Sequence, residues 1–74
     1  MFHYTYVLQS CKDNDLYIGY TPNIKERLKD HESGKVESTK YRRPLKLIYF
    51  EACKSKEKAL KRERYFKTGF GRKF

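Results

Sequence analysis

The sequence predicts an α/β sandwich, built in the order β-β-α-β-α on one small sheet. Three observations predict it. Residues 3–9 and 16–20 are rich in β-branched and aromatic side chains and flank a polar cluster. Two longer segments carry helix punctuation at both ends. A third strand-like run, residues 45–53, separates those two segments.

In chain order, "HYTYVLQ" (3–9) is the first strand, "CKDND" (11–15) a turn, and "LYIGY" (16–20) the second strand of a hairpin. "TPNIKERLKDHESG" then predicts a helix, with Thr21 as N-cap, Pro22 at the first helical position and Gly34 as the stop. "KVESTKYRRP" (35–44) lacks periodicity and is expected to be mostly a basic loop closed by Pro44. "LKLIYFEAC" (45–53) is the third strand. Residues 55–67, "SKEKALKRERYFK", form the second helix, with Ser55 as N-cap and Gly69 ending it. No repeat or linker interrupts the 74 residues, so one domain over 1–74 is expected. A domain this small buries only about 60% of its unfolded surface. Polar or aromatic residues at core-facing positions are therefore informative.

The formal net charge is +9. It is concentrated: residues 54–74 hold nine basic and two acidic side chains, and residues 35–46 hold five basic and one acidic. Two basic segments favour a polyanionic partner over plain solubility, because a focused field gathers phosphate. No apolar run is long enough to span a bilayer, and "MFHYTYVLQS" lacks the charged start and apolar stretch of a signal peptide. A membrane partner is therefore not expected. Cys11 and Cys53 have no metal-ligand spacing and are too few for a disulfide scaffold, which fits reduced thiols in the cytoplasm.

Several positions are unusual for so thin a core. Tyr4, Tyr6 and Leu8 share one strand face, and Tyr17 shares a face with Gly19. If the hairpin pairs like faces, Tyr6 and Tyr17 lie on one side of the sheet; the plain alternative is two ordinary strand aromatics. On the first helix Ile24, Arg27, Leu28 and His31 fall on one stripe, with Ile24 and Leu28 facing the core. Arg27 could equally snorkel, and His31 could simply suit the helix C-terminus. On the second helix Glu63 interrupts the apolar face of Ala59, Leu60 and Phe66. Its plain alternative is an ion pair with an arginine such as Arg27. Together the inventory suits metal-assisted phosphodiester hydrolysis. A carboxylate can hold Mg²⁺, arginine matches phosphate, and tyrosine or histidine can pass a proton.

With "TY" at 5–6, "YIG" at 17–19, Arg27, His31 and a glutamate in "ALKRE", the chain resembles the GIY-YIG nuclease domain from about Tyr4 to Lys67. "GKVESTKYRRPLKLIYFE" further resembles small stand-alone members of that superfamily. The resemblance implies a three-stranded antiparallel sheet flanked by helices, and cleavage of one DNA strand through a single Mg²⁺ (or Mn²⁺). Carried over by position, Glu63 would be the metal ligand. Tyr17 would be the general base or would hold the attacking water, supported by Tyr6. Arg27 would stabilise the phosphate, and His31 would assist proton transfer or bind the phosphate. Gly19 would keep the sheet surface low for an approaching DNA backbone.

The first glycine of the family's opening motif is replaced here by Tyr4. The asparagine and extra segment that follow the second helix in larger members are not expected, nor is a separate DNA-binding domain. The sequence thus predicts a divalent-metal-dependent endonuclease acting on DNA. Its specificity would come from DNA structure or from a protein partner, and RNA stays open as a substrate. Lys35, Lys40, Arg42, Arg43, Lys61, Arg64, Lys67, Arg72 and Lys73 would grip the backbone. The alternatives are a non-catalytic nucleic-acid-binding module on the same scaffold and, third, a basic protein-interaction domain.

Overall fold

Antiparallel pairing organises the chain around its first strand. The computed structural model describes residues 1–68. β1 (His3–Ser10) lies between β2 (Leu16–Thr21) and β3 (Leu45–Cys53) in the sheet order β2-β1-β3. α1 (Ile24–Glu32) lies between β2 and β3 in sequence, and α2 (Lys56–Lys67) follows β3. This is the expected α+β order, with the third strand and second helix at the expected bounds. Gly69, Arg72 and Lys73 lie outside the described residues.

The central strand is covered on both sides. Thr5 and Val7 point to one face, Tyr6 and Leu8 to the other, and all four are buried. α2 covers the Val7 face, where Val7, Ile18 and Phe66 form a cluster and the Thr5 hydroxyl donates to the Ala59 carbonyl at 2.8 Å. On that face Arg62 grips Glu51 at 2.7 Å, and the His3 ring stacks on Tyr20 with a 2.8 Å hydrogen bond to its hydroxyl. α1 covers the Tyr6 face through His31, the one fully buried residue of that helix. Ile24 and Leu28, expected to lead the core, are only half-buried.

The start of α1 is two residues later than expected, so Pro22 precedes the cap and is not the first helical residue, which is Ile24. Asn23, not Thr21, caps α1: its side-chain oxygen accepts the Glu26 amide at 3.2 Å. Thr21 still belongs to β2, and its hydroxyl accepts the Asn23 amide, fixing the turn instead of capping the helix. Gly34 acts as expected. Its φ of +83° follows the helix, with Gly34 N–H to His31 O at 3.3 Å and Lys35 N–H to Asp30 O at 2.9 Å. That paired closure is the Schellman arrangement, which needs a left-handed residue.

Residues 35–44 are less of a loop than expected. They contain a 3-10 turn (Lys40–Arg42) and bury Val36 and Thr39. The Ser10 hydroxyl donates to the Arg42 carbonyl at 2.7 Å, and the Cys11 amide donates to the Pro44 carbonyl at 2.8 Å. These bonds clip the segment to the hairpin turn and hold it against the Tyr6 face. Among the described residues no helix is long and apolar enough to cross a membrane.

Candidate active site

Tyr6 occupies the middle of β1 and is 0% exposed. The register sets Gly19 opposite Tyr6 and Tyr17 opposite Leu8, so both tyrosines share a face, as the hairpin reading required. Their ring centroids are 6.3 Å apart. Gly19 faces the Tyr6 ring. A Cβ there would lie 2.5 Å from both Cζ and the hydroxyl of Tyr6, so the absent side chain makes room for the Tyr6 ring. The Tyr6 ring occupies the cleared space.

His31 arrives from the last turn of α1 and is 1% exposed. Its Nε2 lies 2.8 Å from the Tyr6 hydroxyl and its Nδ1 lies 2.8 Å from the Thr39 hydroxyl. The ring meets Tyr17 edge-on at 5.0 Å and Tyr6 at 5.7 Å. Burial, then the neighbouring Arg27 charge, pushes its pKa down to about 4, against a weaker pull upward from Asp30. The imidazole is therefore neutral at neutral pH. Tyr6 moves the other way: burial pushes its phenol up to about 12, although hydrogen bonding to Arg27 opposes the rise. Tyr6 keeps its proton.

Arg27 is half-buried on the helix face above the two tyrosines. Hydrogen bonding to Tyr6, against some desolvation and with help from Tyr17, raises its pKa above the ordinary arginine value. The bonds to Tyr6 and Thr39 use both ring nitrogens, and a neutral imidazole donates through one and accepts through the other. Sequence reading missed Thr39, which is 0% exposed. Its one mark in the sequence is the spacing of three from Val36 in a charged stretch, and both residues point inward around the 3-10 turn. Thr39→Val is expected to cost about 1–3 kcal/mol by leaving the buried Nδ1 without a partner, with Thr39→Ser restoring most of it, as read by urea unfolding.

A neutral buried histidine also sets an acid sensitivity. The unfolded chain binds a proton near pH 6.5, while folded His31 resists it down to about 4. The unfolded state therefore holds more protons in that window, and stability falls as pH drops from 6.5 to 4. The expected loss is about 2–3 kcal/mol, flat above 6.5. Glu51, held low first by its hydrogen bond to Arg62, adds to the loss only below the ordinary carboxylate range. Unfolding midpoints at pH 7 and pH 4.5, beside His31→Gln lacking most of the slope, check this.

Glu63 stands apart from the other four candidates. It sits on α2, with 20% of its side chain exposed, and pairs with Lys67 at 3.2 Å instead of with Arg27. Among the described residues no hydrogen bond or ring contact joins it to the tyrosine–histidine cluster. Its field does reach Tyr6, as the smallest of the named contributions that raise that phenol. No group of three or more His, Cys, Asp or Glu side chains is arranged to hold a metal among the described residues. One carboxylate oxygen is too little for a zinc or calcium site. It fits Mg²⁺ or Mn²⁺, which take one or two carboxylates and complete their shell with water and substrate phosphate.

The basic residues divide by how far their charge is already met. Lys40 pairs with Glu37 at 2.9 Å, Lys61 with Glu57 at 3.7 Å, and Arg42 with Asp15 at 3.6 Å and Asp13 at 3.9 Å. Lys35 and Arg64 are exposed. Arg43 is held by carbonyl oxygens of Lys40 and Glu32.

Comparison with known proteins agrees with this architecture. Residues 2–74 match the GIY-YIG catalytic domain. The chain is 48% identical over 67 residues to a UPF0213 protein of Staphylococcus haemolyticus, covering 89% of this chain and 80% of that one. It is 52% identical over 66 residues to a UPF0213 protein of Bacillus licheniformis, covering 88% and 67%. Among solved structures, the solution NMR structure of the UPF0213 protein BH0048 from Bacillus halodurans matches with a TM-score of 0.56 and 43% identity. That match covers 90% of this chain and 71% of the other. A match over nearly the full length, on a sheet that sets Tyr6 and Tyr17 beside Arg27 and His31, makes this chain a member of the GIY-YIG family, whose domains are generally nucleases.

Proposed function

We propose that the protein is an endonuclease that hydrolyses DNA phosphodiester bonds with the help of Mg²⁺ or Mn²⁺. The observation that carries the reading is the convergence of Tyr6, Tyr17, Arg27 and His31 on one sheet face, two of them linked by a 2.8 Å hydrogen bond. Tyr17 holds the attacking water, or removes its proton, beside the buried pair. Tyr6 stays protonated and fixes the geometry by hydrogen bonding. Arg27 faces the negative charge that grows on the phosphate, where a preorganised cation lowers the barrier most. His31, neutral and oriented by Thr39, holds the Tyr6 hydroxyl in place by hydrogen bonding. Glu63 would hold the cation, which when bound polarises the phosphoryl oxygens. Lys35, Arg43 and Arg64 supply charge for the backbone, and RNA shares that phosphate chemistry. DNA structure or a protein partner supplies specificity.

One observation favours a second reading, a non-catalytic nucleic-acid-binding module. Among the described residues the ion-pair partner of Glu63 is the Lys67 ammonium at 3.2 Å, a partner that a carboxylate without a metal would keep. Incubation with supercoiled, nicked, flapped and single-stranded DNA, with Mg²⁺, Mn²⁺ or chelator, separates the two. Metal-dependent cleavage of at least one substrate is expected. Salt-sensitive binding with no cleavage on any of them leaves the module.

A further inference from the structure

Arg43 is a cation built into a fixed position. Its Nε donates to the Lys40 carbonyl at 3.0 Å, and its Nη1 donates to the Glu32 carbonyl, at the end of α1, at 3.2 Å. Gly34 lies beneath it: a Cβ there would come within 2.9 Å of the guanidinium carbon. Carbonyls orient a guanidinium without neutralising it. Among the described residues no carboxylate lies within ion-pair distance of Arg43, whereas Arg42 and Arg62 are both paired. The cost of ordering this side chain is met by the fold, and its second terminal nitrogen is left to receive an anion.

Arg43 is also part of the wall of a cavity of about 540 Å³. Leu8, Leu28, Leu45 and Leu47 line the inside, and the exposed Arg43 and Glu32 mark its mouth. Its remaining wall includes His31, and Leu8 is the residue paired with Tyr17. The cavity therefore borders the tyrosine–histidine cluster at His31, on the same sheet face. Its volume is that of a small-ligand site: apolar walls with a few polar groups converging at one end. A planar ring with apolar faces and a phosphate one sugar away matches that layout.

We propose that Arg43 and this cavity form a nucleotide subsite. Arg43 takes a phosphate of the substrate strand, and the leucine cavity takes one unstacked base beside the bond that the cluster acts on. This rests on the nuclease reading and deepens it. A base paired within a duplex cannot enter, so the subsite favours single-stranded, flapped or frayed DNA. An apolar side chain of a protein partner is the competing occupant.

The test uses the full chain, isotopically labelled, in chelator, so that no cleavage enters the readout. Deoxyadenosine 5′-monophosphate is titrated beside 2-deoxyribose 5-phosphate, which keeps the phosphate and lacks the base. The nucleotide is expected to shift the methyl resonances of Leu28, Leu45 and Leu47 and the Arg43 side-chain N–H. The baseless control shifts Arg43 alone and binds about tenfold more weakly. Placing a carboxylate among the leucines with Leu47→Glu removes the nucleotide's advantage and spares the Arg43 response, while Arg43→Gln weakens both ligands. Equal affinity for the two ligands, or methyl resonances that do not move, overturns the subsite, and the second result leaves the cavity to a protein side chain. A chain that cleaves DNA yet treats both ligands alike loses only the subsite. One that binds the nucleotide here and never cleaves loses only the nuclease reading.

Discussion

Glu63→Ala is expected to lower metal-dependent cleavage by about a thousandfold or more, while leaving the fold and DNA affinity nearly intact. The expectation of a large catalytic loss follows from the proposed role: a single carboxylate is the only protein group assigned to the cation, and among the described residues no cluster of acids stands ready to replace it. Three decades of rate correspond to about 4 kcal/mol of barrier. The expectation of a small structural effect follows from the contacts. The partner of Glu63 is Lys67, four residues on along the same helix and more than half exposed, and such pairs contribute only about 0.3–0.5 kcal/mol. Single-turnover cleavage at saturating Mg²⁺, with thermal unfolding and filter binding on the same variant, reads all three quantities. A variant that cleaves like the parent removes Glu63 from the metal role. If thermal stability collapses instead, the carboxylate serves the fold.

The strands and helices were legible because their signals are local. β-branched and aromatic runs, a serine before α2 and a glycine after α1 each act within a few residues. The shared face of Tyr6 and Tyr17 was legible for the same reason, since strand alternation and hairpin pairing fix it together. Two features were not. Thr39 and His31 are brought together by the clip between the 35–44 segment and the hairpin turn, through Ser10, Arg42 and Pro44. No periodicity in a charged stretch announces such a contact. Asn23 is the stronger cap by propensity, but Pro22, read as the first helical residue, draws the expected cap to Thr21, and the extension of β2 through Thr21 sets it at Asn23. Propensity does not see the length of a paired strand. Gly19 shows a subtler limit: the sequence indicates that a side chain is unwelcome there, but not which neighbour occupies the space.

That neighbour makes Gly19→Ala the most discriminating substitution on the sheet. The backbone does not oppose it, because no left-handed conformation is recorded at Gly19 and any residue can follow the strand there. The obstacle is Tyr6, whose Cζ and hydroxyl would both lie 2.5 Å from the new Cβ. Tyr6 cannot swing aside cheaply, since it is fully buried and its hydroxyl is engaged by His31 at 2.8 Å. The substitution is expected to cost about 2–4 kcal/mol, combining overpacking with a strained or lost buried hydrogen bond. Cleavage should fall about a hundredfold, because displacing a positioning group by an ångström misaligns the reacting atoms. Shrinking the neighbour separates packing from chemistry. Gly19→Ala combined with Tyr6→Leu should be more stable than the two single costs predict, yet stay as inactive as Tyr6→Leu alone. If glycine served instead to admit a DNA backbone, Gly19→Ala would weaken DNA binding and leave both the unfolding midpoint and the His31 ring resonances unchanged. Urea unfolding and imidazole NMR on this one variant therefore decide whether the glycine belongs to the substrate path or to the seat of Tyr6.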